Sequence, residues 1–232
     1  GIGKATALHF FKKGYLVSCL DIDMKGVQQT LEEINFSGNA FKLDVANIKD
    51  VQDKCIKINQ SFDRPSVLVN SAGISPDPQP VHLYKIDEWH RVININLTGT
   101  FYIMKYLIPS LLKNTPSSIV NISSAMGIVA NPTTSGYAAS KHGVVGLTKA
   151  AALDYADQEL KINCIGPGVV ETNMSKDILA DNATKEMLKQ QTPLGRFANP
   201  EEVAELIYFL CTNKSAFITG SFIPIDGGYT AF

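Results

Sequence analysis

Ser118-Ile119-Val120-Asn121-Ile122-Ser123-Ser124, followed after a loop by Tyr137-Ala138-Ala139-Ser140-Lys141, is the stretch that organises the chain. Ser118 to Ile122 is a short apolar run, which predicts a buried strand. Gly136 ends the loop from Ala125. Tyr137 to Leu153 is rich in Ala, Leu and Lys and free of proline, which predicts a helix. Residues four apart share a helix face, so Tyr137 and Lys141 point into one space. A free tyrosine has a pKa of about 10 and is a poor base at neutral pH. A nearby cation favours the phenolate, and a fall of roughly 2–5 units would make Tyr137 a usable acid/base. Ser124 lies at the strand's carboxyl end, where open α/β sheets build their sites. A tyrosine and a lysine at this spacing are usually ordinary helix residues, so the weight rests on the chain around them.

On the amino-terminal side, Ala5 to Lys13 reads as a helix ended by Gly14, and Leu16 to Leu20 as a strand closing on Asp21. Lys25 to Ile34 is helical in pattern, Ala40 to Leu43 is a strand closing on Asp44, and Ile48 to Phe62 is a helix. Val67 to Val69 is a strand leading into Asn70-Ser71-Ala72-Gly73, and the proline-rich Ser75 to Pro80 is a loop. Asp87 to Leu112 is a long helical region with a kink expected at Pro109. On the carboxyl side, Lys161 to Ile165 is a strand, Glu171 to Arg196 a long excursion, and Pro200 to Leu210 a helix. Ser221 to Ile225 is the last strand, before Asp226-Gly227-Gly228. Strand alternates with helix, and the strands are apolar without period-two alternation. That pattern specifies an α/β fold, a doubly wound parallel sheet with helices on both faces. No linker or repeat divides residues 1–232, which read as a single domain.

Hydrophobic residues make up 45 % and charged residues 19 % of the chain, and the net charge is −1. This composition argues against disorder and gives no reason to expect nucleic acid or membrane as a partner. Cys19, Cys55, Cys164 and Cys211 are scattered, which reads as free thiols in a reducing, cytoplasmic setting. His9, His82, His90 and His142 have no ligand spacing, so no metal is expected.

Gly1-Ile2-Gly3 leads straight into a helix. Glycines there let backbone approach a pyrophosphate, and a helix N-terminus favours an anion. Asp21, at the next strand's end, is suited to accept both hydroxyls of an adenosine ribose, although an aspartate in that place also caps helices. Asp44 and Asn70-x-x-Gly73 hold the equivalent positions after the next two strands. Turns alone do not account for Gly, Asp, Asp and Asn-x-x-Gly at four consecutive strand ends.

In this order, these residues resemble the short-chain dehydrogenases/reductases along essentially the whole chain. The resemblance continues through Asn94-Ile95-Asn96-Leu97, Asn121-Ile122-Ser123-Ser124, Tyr137-x-x-x-Lys141, Pro167-Gly168 and Asp226-Gly227-Gly228. It implies a Rossmann-like sheet and hydride transfer between NAD(H) and a secondary alcohol or ketone. Tyr137 would be the general acid/base, and Lys141 would lower its pKa and bind the nicotinamide ribose. Ser124 would hold the substrate oxygen, and Asn96 would position a water relaying protons to Lys141. Cofactor contacts would come from Gly1, Ile2, Gly3, Asp21, Asp44, Val45, Asn70, Ala72, Gly73, Tyr137, Lys141, Pro167, Gly168, Val170 and Thr172. Of these, Val170 and Thr172 would meet the nicotinamide amide. A strand and a Thr-Gly-x-x-x segment ordinarily precede Gly-Ile-Gly in the family, so an incomplete start lacking the first strand is expected. Ser71 also stands where the family commonly has Asn.

Asp21 and Asp23, with no arginine between Gly14 and Asp44 and only Lys25 and Lys42 as cations, favour NAD over NADP. Substrate choice is expected to lie in Ser75 to His82, Ala125 to Ser135 and Asn173 to Ala198. Met174, Ile178, Leu179, Met187 and Leu188 fit an amphipathic lid, or equally packing on the protein's own core. Ala125 to Ala130 carries no fixed charge, which favours an uncharged substrate. In the family, helices corresponding to Asp87–Leu112 and Tyr137–Tyr155 pair into a four-helix bundle, so a homotetramer is expected, with a dimer second. Two alternatives are an NADP-dependent 3-oxoacyl-type reductase and a nucleotide-binding regulatory protein without catalysis.

Overall fold

The computed structural model describes residues 1–61 and 65–231. Phe62, expected at a helix end, lies outside the described residues. The chain runs α1 (Ile2–Lys12), β1 (Val17–Asp21), α2 (Met24–Glu33), β2 (Gly38–Lys42), α3 (Ile48–Ser61), β3 (Val67–Asn70), α4 (Ile86–Ile93) and α5 (Gly99–Leu111). It continues with β4 (Ser117–Ile122), α6 (Ser135–Asp154), β5 (Leu160–Pro167), α7 (Lys176–Ala180), α8 (Asn182–Gln190), α9 (Pro200–Cys211) and β6 (Phe222–Ile225).

Local chemistry sets these boundaries. Gly14, at φ +87°, takes the left-handed conformation that stops α1. The Asp23 carboxylate accepts the Lys25 N–H at 3.1 Å and caps α2. Pro200 opens α9, where the Glu202 carboxylate reaches back to the Asn199 N–H at 2.8 Å.

All ladders are parallel. β1 pairs with β2, and β3, β4, β5 and β6 pair in that order. The chain therefore winds outward from β1 to β2, then in the opposite direction from β3 to β6. The order reverses between β1 and β3, and the crevice beyond the carboxyl ends at such a point is where open α/β sheets hold ligands. β1 and β3 do not pair with each other among the described residues, yet Val17, Val67 and Val69 pack on one cluster with Phe10, Ile165 and Ile207. Every residue of β4 is buried, as a central strand covered on both faces requires. One face meets α1 and α9 through Phe10, Val203, Ile207 and Leu210. The other meets α3, α5 and α6 through Val51, Leu107, Leu111 and Ala152.

Between α4 and α5 the long helical region is interrupted by a π turn at Asn94–Thr98, whereas Pro109 lies in the last turn of α5. The irregularity thus falls at Asn96 rather than at the proline where the kink was expected. Single π turns inside helices recur at functional sites. α6 starts at Ser135, before Tyr137, so Tyr137 stands in the first turn. Glu171 to Arg196 resolves into the two short helices α7 and α8, neither of which contains a buried residue.

Candidate active site

Ser124, Tyr137 and Lys141 converge beyond the carboxyl end of β4. The Ser124 hydroxyl oxygen accepts the Met126 N–H at 3.1 Å, and Tyr137 hydrogen-bonds Ser124. The Lys141 ammonium lies 5.6 Å from the centroid of the Tyr137 ring and donates to the Ile122 carbonyl at 2.9 Å. Lys141 is only 5 % exposed, and burial pushes its pKa down to about 8. The expected fall in the Tyr137 pKa does not occur in this arrangement. Burial raises it, and the Ser124 hydrogen bond opposes that only in part. The ammonium donates to the Ile122 carbonyl and stands over the face of the ring.

The buried shell behind this trio was only partly legible in the sequence. The Ser123 hydroxyl donates to the Lys141 carbonyl at 2.9 Å and fastens α6 to β4. A Cβ on Gly127 would collide with the Ser123 oxygen, so that approach requires glycine. Ser140 is fully buried; its hydroxyl donates to the Tyr137 carbonyl at 2.7 Å and accepts from the Asn96 amide at 3.0 Å. The sole hint of these roles was small residues flanking each expected catalytic side chain.

Asn96, expected to position a water, has its side chain otherwise engaged. Its Oδ1 accepts the Ile74 N–H at 2.8 Å, and its Nδ2 donates to the Ile74 carbonyl at 3.0 Å as well as to Ser140. Both amide hydrogens are thereby committed to clamping the Gly73–Ile74 loop against α6. A Cβ on Gly73 would lie 3.4 Å from both Asn96 Oδ1 and Lys141 Nζ, so that glycine keeps a space open beside the ammonium. Asn70 likewise turns inward: its Nδ2 donates to Asn121 at 2.8 Å, and Asn121 donates to Thr148 at 2.9 Å. The Asn121 bond takes one of the two amide hydrogens of Asn70.

The other expected cofactor residues line the same edge. Gly1 and Gly3, on either side of Ile2, bring the first turn of α1 to Thr172 and Ser71, where added Cβ atoms would meet side chains at 3.4 and 3.3 Å. Asp21 is exposed, and its Oδ1 accepts the Asp23 N–H at 3.0 Å. Asp44 Oδ1 accepts the Ala46 N–H at 2.9 Å, and Val45 packs under Gly99. Ala72 is exposed. Pro167 ends β5 opposite Ile225, and Gly168 lies so close to Asp226 that a Cβ would meet its Cα at 2.9 Å. Val170 is only 6 % exposed and packs in the core, so its backbone rather than its side chain is available.

These residues fit a nicotinamide dinucleotide. The glycine-lined start of α1 borders a cavity of about 550 Å³ that also touches Thr172, Ser175 and Leu179. Asp21 presents a carboxylate at one end of the edge, and Lys141 a buried ammonium beside an open glycine at the other. Of the apolar residues expected to form either a lid or core packing, Met174, Ile178 and Met187 are 52, 48 and 49 % exposed.

A family model described as Enoyl-(Acyl carrier protein) reductase matches residues 1–230. A 3-oxoacyl-(acyl-carrier-protein) reductase of Thermotoga maritima is 40 % identical over 98 % of this chain and 93 % of its own length. A cyclohexanol dehydrogenase of an Acinetobacter strain is 37 % identical over the whole of this chain and 91 % of its own. Among solved structures, levodione reductase superposes with a TM-score of 0.95 at 28 % identity, covering 100 % of this chain and 94 % of its own. Aldohexose dehydrogenase of Thermoplasma acidophilum gives 0.91 at 32 % identity, covering 100 % and 91 %. With the glycine-led α1, the Asp21 strand end and the Ser124, Tyr137 and Lys141 trio on one sheet edge, the chain belongs to the short-chain dehydrogenase/reductase family of nicotinamide-dependent oxidoreductases.

Proposed function

We propose that this oxidoreductase is an NAD-dependent dehydrogenase/reductase acting on an uncharged secondary alcohol or ketone. The observation that carries the reading is the convergence of Ser124, Tyr137 and the buried Lys141 ammonium beyond β4. The bound dinucleotide supplies hydride acceptance and donation. The protein handles the proton. In oxidation the Tyr137 oxygen takes the alcohol O–H proton as the carbon loses hydride; in reduction Tyr137 returns it. The Ser124 hydroxyl donates to the oxygen where charge develops. Asn96 acts by holding the Gly73–Ile74 loop, and Lys141 keeps a positive charge beside the tyrosine.

Asp21 supports NAD as the cofactor. Its outer oxygen is available to a ribose diol, whereas a phosphate of NADP about 4 Å away would cost on the order of 4 kcal/mol at an effective dielectric of 20. Asp23 is turned to its cap and adds no ligand. One observation favours the second reading, an NADP-dependent reductase: Lys42 is the register partner of Asp21 on the neighbouring strand and is exposed. The test is kcat/KM with NAD(H) and NADP(H) over a panel of alcohols and ketones, expected to favour NAD by roughly 10²-fold. In Asp21→Ser the ratio should narrow through improved NADP use; in Lys42→Ala it should widen. Equal use of both cofactors would sink the assignment, and turnover of any panel member excludes a catalytically silent regulator.

We further propose a homotetramer, supported by Phe101 and Leu153, 44 and 81 % exposed on α5 and α6. A cytoplasmic location accords with four free cysteines. We take residues 1–232 as a single domain.

A further inference from the structure

The Asp226–Thr230 turn is fixed far more strongly than a surface turn requires. The Asp226 carboxylate accepts the Gly228 N–H at 3.0 Å, the Thr230 N–H at 3.0 Å and the Thr230 hydroxyl at 2.6 Å. Gly227 and Gly228 lie at φ +64° and +91°, which side chains rarely adopt. Added Cβ atoms there would meet Thr192 at 2.7 Å and Pro193 at 3.0 Å. The turn is thus pressed onto the segment that ends the lid excursion, where the Leu194 N–H donates to the Gly227 carbonyl at 3.1 Å. From its far side the Tyr229 hydroxyl donates to Asn131 Oδ1 at 2.8 Å. Asn131 belongs to the loop joining Ser124 to Tyr137. That loop is tied in turn to the proline-rich segment by the Gln79 N–H donating to the Thr133 carbonyl at 2.9 Å.

The three stretches expected to choose the substrate are therefore linked in series: Gln79 to Thr133, Asn131 to Tyr229, Gly227 to Leu194. We propose that the Asp226–Thr230 turn is the strut that spaces the lid base from the loop between Ser124 and Tyr137. Tyr229, through Asn131, is then a specificity-determining residue that sets how large a substrate the cleft admits. Any effect on substrate choice rests on the oxidoreductase reading above; the strut itself does not. Tyr229 touches no reacting atom, so it acts by positioning the wall.

Two measurements on the intact protein test this. The first needs no turnover: amide hydrogen exchange at Gln79 and Leu194, the reporters on either side of the strut, with Ile119 and Val120 of β4 as controls. In Tyr229→Phe, Gln79 should exchange about three- to tenfold faster, the scale of one hydrogen bond, while Leu194 and the β4 amides hold. In Asp226→Ala both reporters should accelerate while β4 holds. No change at Gln79 in Tyr229→Phe, or acceleration of β4 along with the reporters, overturns the strut. The second measurement is a series of cyclopentanol, cyclohexanol and cyclooctanol. Tyr229→Phe and Asn131→Ala should shift the KM ratio between the largest and smallest rings about threefold or more at nearly constant kcat, with no further shift in the double variant. A uniform change across ring sizes, or additive shifts, overturns the specificity role. If no ring alcohol or its ketone is turned over even by the unaltered protein, the oxidoreductase reading and the specificity role fall together, and the exchange result alone decides the strut.

Discussion

The long helix α6 and the two short helices α7 and α8 are built on opposite principles. α6 buries Ser140, Lys141 and Thr148 along with its alanines and valines, and each of these polar side chains has a hydrogen-bond partner. α7 and α8 contain no fully buried residue, and Ile178 and Met187 on them are about half exposed. Buried polar groups are held in one geometry because a broken hydrogen bond there exposes an unpaired group to low dielectric. Exposed apolar groups have no such penalty and are available to something that covers them. On the proposed function, the proton chemistry belongs to the fixed elements α6 and β4, and substrate recognition to the exposed apolar side chains of α7 and α8.

The comparison breaks most sharply at Tyr137. Tyr137→Phe keeps the ring and its packing but removes the only titratable proton at the reacting oxygen. Turnover should fall by at least roughly 10²-fold, with cofactor affinity by fluorescence titration nearly unchanged. A variant with near-normal turnover would displace Tyr137 from the acid/base role.

Asn121 tests the fixed side through stability alone. It is fully buried and joins Asn70 to Thr148, so Asn121→Ala removes both bonds and takes from the part-buried Asn70 amide its Asn121 acceptor. The expected loss is about 1–3 kcal/mol, read as a fall in thermal midpoint of about 2–4 °C per kcal/mol in a chain of this size. An unchanged midpoint would mean that the inward-turned polar residues are not what holds the sheet end.

The pH profile sharpens the comparison at α6. Burial lowers the Lys141 pKa to about 8 and raises that of Tyr137, so near neutrality both hold their protons. Oxidation needs the phenolate beside the ammonium. That pair carries the same number of protons as neutral tyrosine beside neutral lysine, so its population follows the first macroscopic deprotonation of the site. Alcohol oxidation, read as kcat/KM, should rise about tenfold per pH unit and level off near pH 8; ketone reduction, which uses the protonated tyrosine, should fall above it. A profile flat from pH 6 to 8 in the oxidation direction would show that this pair does not govern proton transfer.

The smallest effect belongs to the lid. Ile178→Ser and Met187→Ser should change unfolding free energy by no more than about 0.5 kcal/mol, because both side chains are half exposed. Their KM values for apolar alcohols should nevertheless rise. A large loss of stability would place these residues in the core instead.

The fold was legible because its signals are local. Runs such as Ile119-Val120 and Ile162, the glycine after α1 and the residues at each strand end follow from backbone chemistry within a few positions. The trio was legible for the same reason: Tyr137 and Lys141 lie one helix turn apart, and Ser124 lies just past the end of the strand before them. The interruption at Asn96 was placed at Pro109 instead, because a proline's missing N–H is visible in a sequence while the packing that inserts a π turn is not.

What the sequence determined by itself is the order of strands and helices, the parallel sheet and the choice of candidate reactive side chains, all consequences of periodicity and residue type. Only the tertiary structure decided what those side chains are joined to. Asn70 and Asn121 lie on neighbouring strands, Asn96 and Ser140 on separate helices, and Asn131 meets Tyr229 only across the cleft. The direction of the Tyr137 pKa was settled in the same way. Spacing brings a cation near the ring, but desolvation, which comes from the packed sheet, raises the tyrosine pKa.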